Sequence, residues 1–430
     1  MNIEINPPRF AWKELLQRPV SDTVSLQKTV KEVLMDVKEN GDEAIVRLTE
    51  QFDKVLLKDF QYDEIDLINA EAEIPYALKQ AIIHAAESIE RFHEIQIAQP
   101  QIVETIPGVK CWRKNVGIEK VGLYIPGGTA PLFSTVLMLG IPARLAGCKQ
   151  IVLCSPPNVE GKLHPAIIFA AKLVGVTHIY KIGGVQAIAA MAYGTRIVPK
   201  VYKIFGPGNQ YVTCAKQMIQ DDGIAIDMPA GPSEVCVLAD ETADVSFVAA
   251  DLLSQAEHGI DSQVLLVATN EEIVNKVNIE LEKQLALLSR KDIAAKALAN
   301  SKAIVMEDMH DAIQLINEYA PEHLIISCKD PMALGDKIIN AGSVFLGNYS
   351  PESVGDYASG TNHTLPTNGY ARAYSGVSVD SFVKKITFQR LSRQGLMNIA
   401  STVELMAEAE GLDAHKNAVT IRIKEIGVRR

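Results

Sequence analysis

The sequence predicts an α/β protein made of two Rossmann-like parallel-sheet domains, incomplete units of similar style, with a short N-terminal arm and a helical C-terminal tail. Three observations carry this reading. Between residues 119 and 220, short β-rich runs alternate with helical ones, a rhythm that predicts a parallel sheet covered on both faces. Residues 233–348 repeat the rhythm. The chain has 430 residues, 47% hydrophobic and 22% charged, so it can bury more than one core without disulfide or metal staples.

The elements follow in order. Residues 1–20 carry two prolines and mixed composition, and read as an arm lying on something else. LQKTVKEVLMDVKENG is helical and meets a glycine suited to a helix stop, and YALKQAIIHAAESIERFHEIQ is a second helix. A short β-like section follows, from about residue 101. VGLYI, IVLCS, HIYKIGG and VYKIF are then strands, each leading into a helix. EVCVLAD, SQVLLVATN, AIVMED, HLIISC and SVFLGN are strands of the second block. Residues 349–376 are dense in Gly, Ser, Asn and Pro, and a loop of that length in a compact protein is usually functional. After about residue 380 the pattern is mainly helical. Residues 21–118 with 233–376 are expected to form one α/β domain, 119–232 the other, and 377–430 the tail.

Charge and cysteine usage exclude some classes. Lys and Arg total 42 against 52 Asp and Glu, a net charge of −10, which argues against nucleic acid as the main partner. Cys111, Cys148, Cys154, Cys214, Cys236 and Cys328 lie far apart, mostly in apolar runs, as reduced thiols of a cytoplasmic protein would. No signal peptide opens the sequence, and no apolar run reaches the roughly 18–20 residues of a membrane span.

In open parallel sheets, ligands bind at the C-terminal ends of the strands. Three glycine loops follow strands here, at 124–131, 182–189 and 205–212. The last holds Gly206-x-Gly208, but Tyr211 stands where a dinucleotide fingerprint has its third glycine, so the loops alone are weak evidence for a nucleotide. The histidines are more informative. His84, His93, His164, His178 and His310 read as structural. His258, His323, His363 and His415 keep polar company at element boundaries. Gln255 and His258 in SQAEHGIDSQ are three apart and share one helix face. The plain reading of each is a solvated element end. Together with Asp356, these residues would give a mixed nitrogen and oxygen shell suited to zinc.

The run IDMPAGPSEVCVLADETADVSFVAADLLSQAEHGIDSQ resembles the signature region of the histidinol dehydrogenase family. The resemblance extends, in order, through VGLYIPGGTAPLFSTVLMLGIPARLAG, IGGVQAIAAMAYGT, FGPGNQYV, YAPEHL, GDYASGTNHTLPT and EGLDAHKNAV. It implies oxidation of L-histidinol through L-histidinal to L-histidine with two NAD and one zinc ion, late in histidine biosynthesis. It implies zinc ligands at Gln255, His258, Asp356 and His415, and substrate contacts at Ser233, His323 and Glu410 as well as at those ligands. It implies NAD contacts at Tyr124, Gln186 and Asn209, and Glu322 and His323 as the catalytic acid–base pair. It also implies a homodimer that exchanges its tails, so that Glu410 and His415 complete the partner's site.

Other readings stay open on sequence alone. They are a related zinc-dependent NAD dehydrogenase acting on another small polyol, a zinc hydrolase using Glu322, and a non-catalytic binding protein. Cys236 lies in the apolar run EVCVL and reads as core, not as a thiohemiacetal nucleophile.

Overall fold

The computed structural model describes residues 1–18, 23–127 and 131–428. Residues 128–130 of the first glycine loop and residues 19–20 of the arm lie outside the described residues, as do 21–22 and 429–430. The strands, in chain order, are β1 (Asn2–Ile5), β2 (Ile102–Ile106), β3 (Val109–Gly117), β4 (Lys120–Tyr124), β5 (Gln150–Ser155), β6 (His178–Lys181), β7 (Lys203–Phe205), β8 (Ala225–Ile226), β9 (Glu234–Ala239), β10 (Gln263–Ala268), β11 (Lys302–Val305), β12 (His323–Ser327), β13 (Ser343–Leu346) and β14 (Val383–Leu391). The chain divides into two units, Met1–Gln96 with Ile118–Phe382, and Ile97–Gly117 with Val383–Arg430.

The first unit holds two all-parallel sheets, ordered β1-β11-β10-β9-β12-β13 and β6-β5-β4-β7-β8. The two α/β blocks of the sequence are these sheets. Their continuous apolar runs have a direct cause, because both faces are buried. Along β9, Val235, Val237 and Ala239 enter one core while Cys236 and Leu238 enter the opposite one. Along β5, Ile151 and Leu153 face one core, and Val152 and Cys154 the other. No helix among the described residues is long and apolar enough to cross a membrane.

Gly41 stops the first helix as expected: the backbone breaks there, with φ 53° and ψ −125°, a state that glycine adopts without steric cost, and a second helical stretch runs on to Asp53. One expectation is corrected: the helices of residues 23–94 do not belong with the 233–376 block. Val30, Leu34, Val37, Ile45 and Leu48 pack with Tyr180 and Ile188, and Ile82 and Ile89 pack with Leu137 and Leu153, so these helices cover the β4–β8 sheet. An amphipathic helix advertises that it has a buried face, not which sheet it covers. The arm lies on the sheet, as expected, and contributes β1, an edge strand paired with β11 from Asn2↔Lys302 to Ile5↔Val305.

The second unit is a three-stranded antiparallel sheet, β14-β3-β2, with helices Arg393–Ala409 and Asp413–Val428. The tail is therefore not helical from its start. β14 is nine residues long and pairs with β3 from Val383↔Gly117 to Leu391↔Val109. Trp112 and Phe388 stack across that pair with ring centroids 5.4 Å apart. Lys384, Lys385 and Arg390 dilute the period-2 alternation of VKKITFQRL, and that hides the strand.

Candidate functional site

The two residues expected to form the acid–base pair come from the start of β12. Glu322 immediately precedes the strand and His323 is its first residue, and both are buried. The neighbouring strand β9 begins at Glu234, and Ser233 stands just before it. Helix Val245–Ala256 delivers Gln255 to the same edge, since a helix in a strand–helix–strand unit ends where the next strand begins, and His258 follows in the turn just past the helix end, not on the helix face that the spacing suggested. The site on this sheet therefore gathers at the amino ends of its strands, opposite to the general expectation for open parallel sheets.

The geometry is tight. The Glu234 N–H donates to Glu322 Oε2 at 2.8 Å, and the Glu234 carbonyl oxygen lies 3.2 Å from His323 Nδ1. The Gln255 amide nitrogen donates to Glu352 Oε1 at 2.5 Å, and its oxygen accepts from the Glu234 N–H at 2.8 Å. His323 Nδ1 is 3.7 Å from Glu322 Oε2 and 3.6 Å from Glu352 Oε1, and Nε2 is 3.7 Å from Asp356 Oδ1. Asp356 and Glu352 share the short helix Glu352–Tyr357, one turn apart. The His363 ring spans Thr135 Oγ1 at 3.0 Å and the Asp356 carbonyl oxygen at 2.8 Å.

An outer layer locks Glu234. Its carboxylate receives two bonds from Arg18, Nε at 2.6 Å and a terminal nitrogen at 2.7 Å, and a third from the Asn368 N–H at 2.6 Å. The Arg18 guanidinium lies over the Tyr319 ring, 4.1 Å from its centroid. Bidentate guanidinium–carboxylate pairing of this kind is geometrically specific.

Burial dominates the electrostatics. It pushes the Glu322 and Glu352 carboxyls well above the usual carboxylate range, and Asp356 up to about 7. It pushes Asp251, on the helix that carries Gln255, to about 7 as well. Burial lowers His323 to about 3 and His363 to about 4, and nearby His258 contributes to both falls. His323 Nε2 and Glu352 Oε2 are buried without a hydrogen-bond partner. His323, Glu352 and Asp356 offer potential ligand atoms within 4.8 Å of one another, and no lysine or arginine pairs with these two carboxylates among the described residues.

The structure thus brings Gln255, Glu322, His323 and Asp356 together with Ser233 and His258 beside them. Glu410 and His415 belong to the second unit, where they flank the turn between its two helices and are exposed. Sequence reasoning missed Glu234, Glu352 and Arg18. Glu352 carried a signal, its i, i+4 spacing to Asp356 in the long polar loop. Arg18 and Glu234, 216 residues apart, carried none. Cys236 is fully buried on β9, and burial pushes its thiol far up, consistent with a core residue.

Tyr124, Gln186 and Asn209 lie at the carboxyl ends of the other sheet. The Gly184 N–H donates to the Tyr124 hydroxyl at 3.0 Å, and Gln186 Nε2 is 3.4 Å from Asp53 Oδ2. Asn209 caps helix Gln210–Met218, accepting from the N–H groups of Tyr211 and Val212. Gly206 has φ 122°, and a Cβ there would sit 2.0 Å from the Tyr124 carbonyl oxygen, so only glycine fits. A cleft of about 730 Å³ runs from Asn209 to Arg18 and Asn368, the residues that hold Glu234.

Residues 16–423 match the family model described as histidinol dehydrogenase. A histidinol dehydrogenase of Bacteroides fragilis (strain YCH46) is 60% identical over 98% of this chain and 98% of its own length. One from Vibrio parahaemolyticus is 52% identical over 97% of this chain and 96% of its own. The crystal structure of histidinol dehydrogenase from Elizabethkingia anophelis superposes with a TM-score of 0.97 at 56% identity, covering 99% of both chains.

Proposed function

The chain belongs to the histidinol dehydrogenase family, and from that premise we propose that it oxidises L-histidinol through L-histidinal to L-histidine in the cytoplasm, consuming two NAD, with zinc at its site. The observation that carries the reading is the pair Glu322 and His323, held side by side by one main-chain residue, with His323 Nε2 buried and unpartnered.

The donor set fits a cation. Buried carboxylates crowd the His323 ring with no basic side chain paired to Glu352 or Asp356 among the described residues, an arrangement that is costly unless a cation is bound. The residues that would hold it are Gln255, His258, Asp356 and a second copy's His415. Bound zinc would grip the amino and imidazole nitrogens of the substrate and so fix the reacting carbon. Nitrogen and carboxylate oxygen suit that ion. NAD would accept a hydride in each oxidation, held by Tyr124, Gln186 and Asn209, and the cleft from Asn209 to Arg18 and Asn368 supports this route.

His323 Nε2 takes the hydroxyl proton of histidinol as hydride leaves the carbon. Hydride cannot leave an alcohol carbon until that proton is being removed. Glu322 then takes a proton from the water that adds to the aldehyde, and His323 takes the remaining hydroxyl proton in the second oxidation. A carboxyl raised by burial is a stronger base once ionised. Ser233 and Glu410 contact the substrate, and the homodimer shares its two sites.

The test is the stoichiometry of NADH formed per histidinol consumed. The expected value is close to two. A yield of one with free aldehyde accumulating rejects the second step, and no NADH at all rejects the reading.

A further inference from the structure

Asp53 ends helix Thr23–Asp53 and stands among the loops after β5 and β6. Its Oδ2 is 3.4 Å from Gln186 Nε2, and its Oδ1 lies 3.2 Å from where a Cβ on Gly183 would be. The adjoining Gly184 N–H holds the Tyr124 hydroxyl. Two of the three proposed cofactor contacts therefore converge on the turn that Asp53 faces. Among the described residues no cation pairs with Asp53, and the neighbouring Lys54 turns its ammonium to the Gln51 carbonyl instead. Burial without a counter-charge raises this carboxyl to about 6. A carboxylate that is partly desolvated and has only one long hydrogen bond is unfavourable unless something else binds there.

Sheet order says which part of the dinucleotide reaches it. Along β6-β5-β4-β7-β8, Asp53 and the Gly183–Gly184 turn lie on the β6 side of β4, and Asn209 lies on the β7 side. The cleft toward Arg18 and Asn368 starts at Asn209. The reacting nicotinamide must run along that cleft to reach Glu322 and His323, so the adenosine half is left on the β6 side.

We propose that Asp53 accepts hydrogen bonds from the adenosine ribose hydroxyls and thereby selects NAD against NADP. A ribose diol offers two O–H donors to a carboxylate, whereas a 2′-phosphate brings like charge against a half-buried carboxylate that pairs with no cation among the described residues. In dinucleotide folds of the usual kind the acidic residue follows the second strand. Here a helix that precedes the whole sheet supplies it. The inference rests on the reading of Tyr124, Gln186 and Asn209 as cofactor contacts.

The experiment compares kcat/KM for NAD and for NADP at saturating histidinol, in the wild type and in Asp53→Asn and Asp53→Ser. Binding of each dinucleotide is also measured calorimetrically in the absence of histidinol. The wild type is expected to favour NAD strongly. Each variant is expected to lose about 10-fold or more in NAD affinity and to shift the NADP/NAD ratio of kcat/KM by about 100-fold toward NADP. Ratios within about threefold of wild type in both variants, with NAD still bound, overturn the assignment of Asp53 alone. A wild type that binds neither dinucleotide overturns the cofactor reading itself. Asparagine is isosteric with aspartate at this helix end, so a melting temperature at or above that of the wild type shows that a shifted ratio is not a folding defect.

Discussion

His323 Nδ1 lies 3.2 Å from the main-chain carbonyl oxygen of Glu234. A carbonyl oxygen can only accept, so Nδ1 carries the ring proton and Nε2 of the neutral ring carries the lone pair. Burial lowers this histidine to about 3, which keeps the ring neutral across the working range. The nitrogen free to act as the proposed general base is therefore Nε2, which faces Asp356 and has no partner. His323→Asn is expected to reduce oxidation of histidinol and of histidinal alike, by roughly 10²–10⁴-fold. Rates measured with each substrate separately check this, and an unchanged rate in either step would remove the base from that step.

Glu322 is expected to divide the two steps. Its Oε2 is held by the Glu234 N–H, and only aldehyde oxidation needs an activated water. Glu322→Gln keeps the shape and loses the base. Histidinal oxidation should fall by about 10²-fold or more while histidinol oxidation falls far less. Equal losses in single-turnover measurements of the two steps would count against that division of labour.

Much of this was legible in the chain, and the exceptions have physical causes. The strands of both sheets other than β1 and β8 announced themselves because two-sided burial makes them continuously apolar, as in EVCVLA and QVLLVA. Gln255 and His258 were singled out by helical spacing, although the helix ends at Ala256 and His258 lies just past it. The shell around Glu234 was not. Arg18, Tyr319 and Asn368 reach it from segments that sequence order does not relate, and an ion pair leaves no periodicity. The end of the sheet was misjudged for a different reason. The rule that ligands gather at strand carboxyl ends describes the β4–β8 sheet with Tyr124 and Asn209, whereas His323 and Glu234 open their strands.

The ion pair Lys216–Asp227 should matter more to stability than any surface pair. The Lys216 ammonium is 2.5 Å from Asp227 Oδ1, with side chains only 5% and 1% exposed. Lys216 also donates to the Gly206 carbonyl oxygen at 2.7 Å, and Asp227 accepts from the Gly206 N–H at 2.8 Å, so the pair grips the two peptide units that flank the Gly206 Cα. Lys216→Met strands a buried carboxylate and is expected to cost about 3–5 kcal/mol. The double variant with Asp227→Leu should recover part of that loss. Urea titration of the three variants measures both, and a single-variant loss below about 1 kcal/mol would show that the pair is solvated.

Asp53 gives the stability curve a predictable pH dependence. Burial raises its folded-state value to about 6 from 3.8. The folded chain therefore holds this proton more tightly than the unfolded one. The stabilisation is complete below 3.8 and is lost as pH rises through 6. Asp53→Asn removes the titration, so its stability relative to wild type should rise between pH 4 and pH 7, by about 1–2 kcal/mol for a partly exposed group. Chemical denaturation at pH 4, 5.5 and 7 checks the sign. An advantage that shrinks with rising pH would mean that Asp53 is stabilised in its charged form.

The last prediction concerns Glu410 and His415. Both flank the turn between helices Arg393–Ala409 and Asp413–Val428, where Leu405 and Met406 are 64% and 60% exposed and Ile421 is exposed beyond them. Apolar surface at helical spacing calls for cover, and a two-fold partner would supply it with each tail reaching the other copy's site. Mixing His323→Ala with His415→Ala tests this. If tails are exchanged, a heterodimer holds one site with both residues damaged and one site with both intact. Random subunit exchange makes half the dimers mixed, so recovery should approach about a quarter of wild-type activity. If each chain builds its own site, every site stays broken and no mixture regains activity. Heterodimer formation, followed by mass spectrometry, separates a true negative from failure to exchange, and a proven heterodimer without activity would return His415 to its own chain.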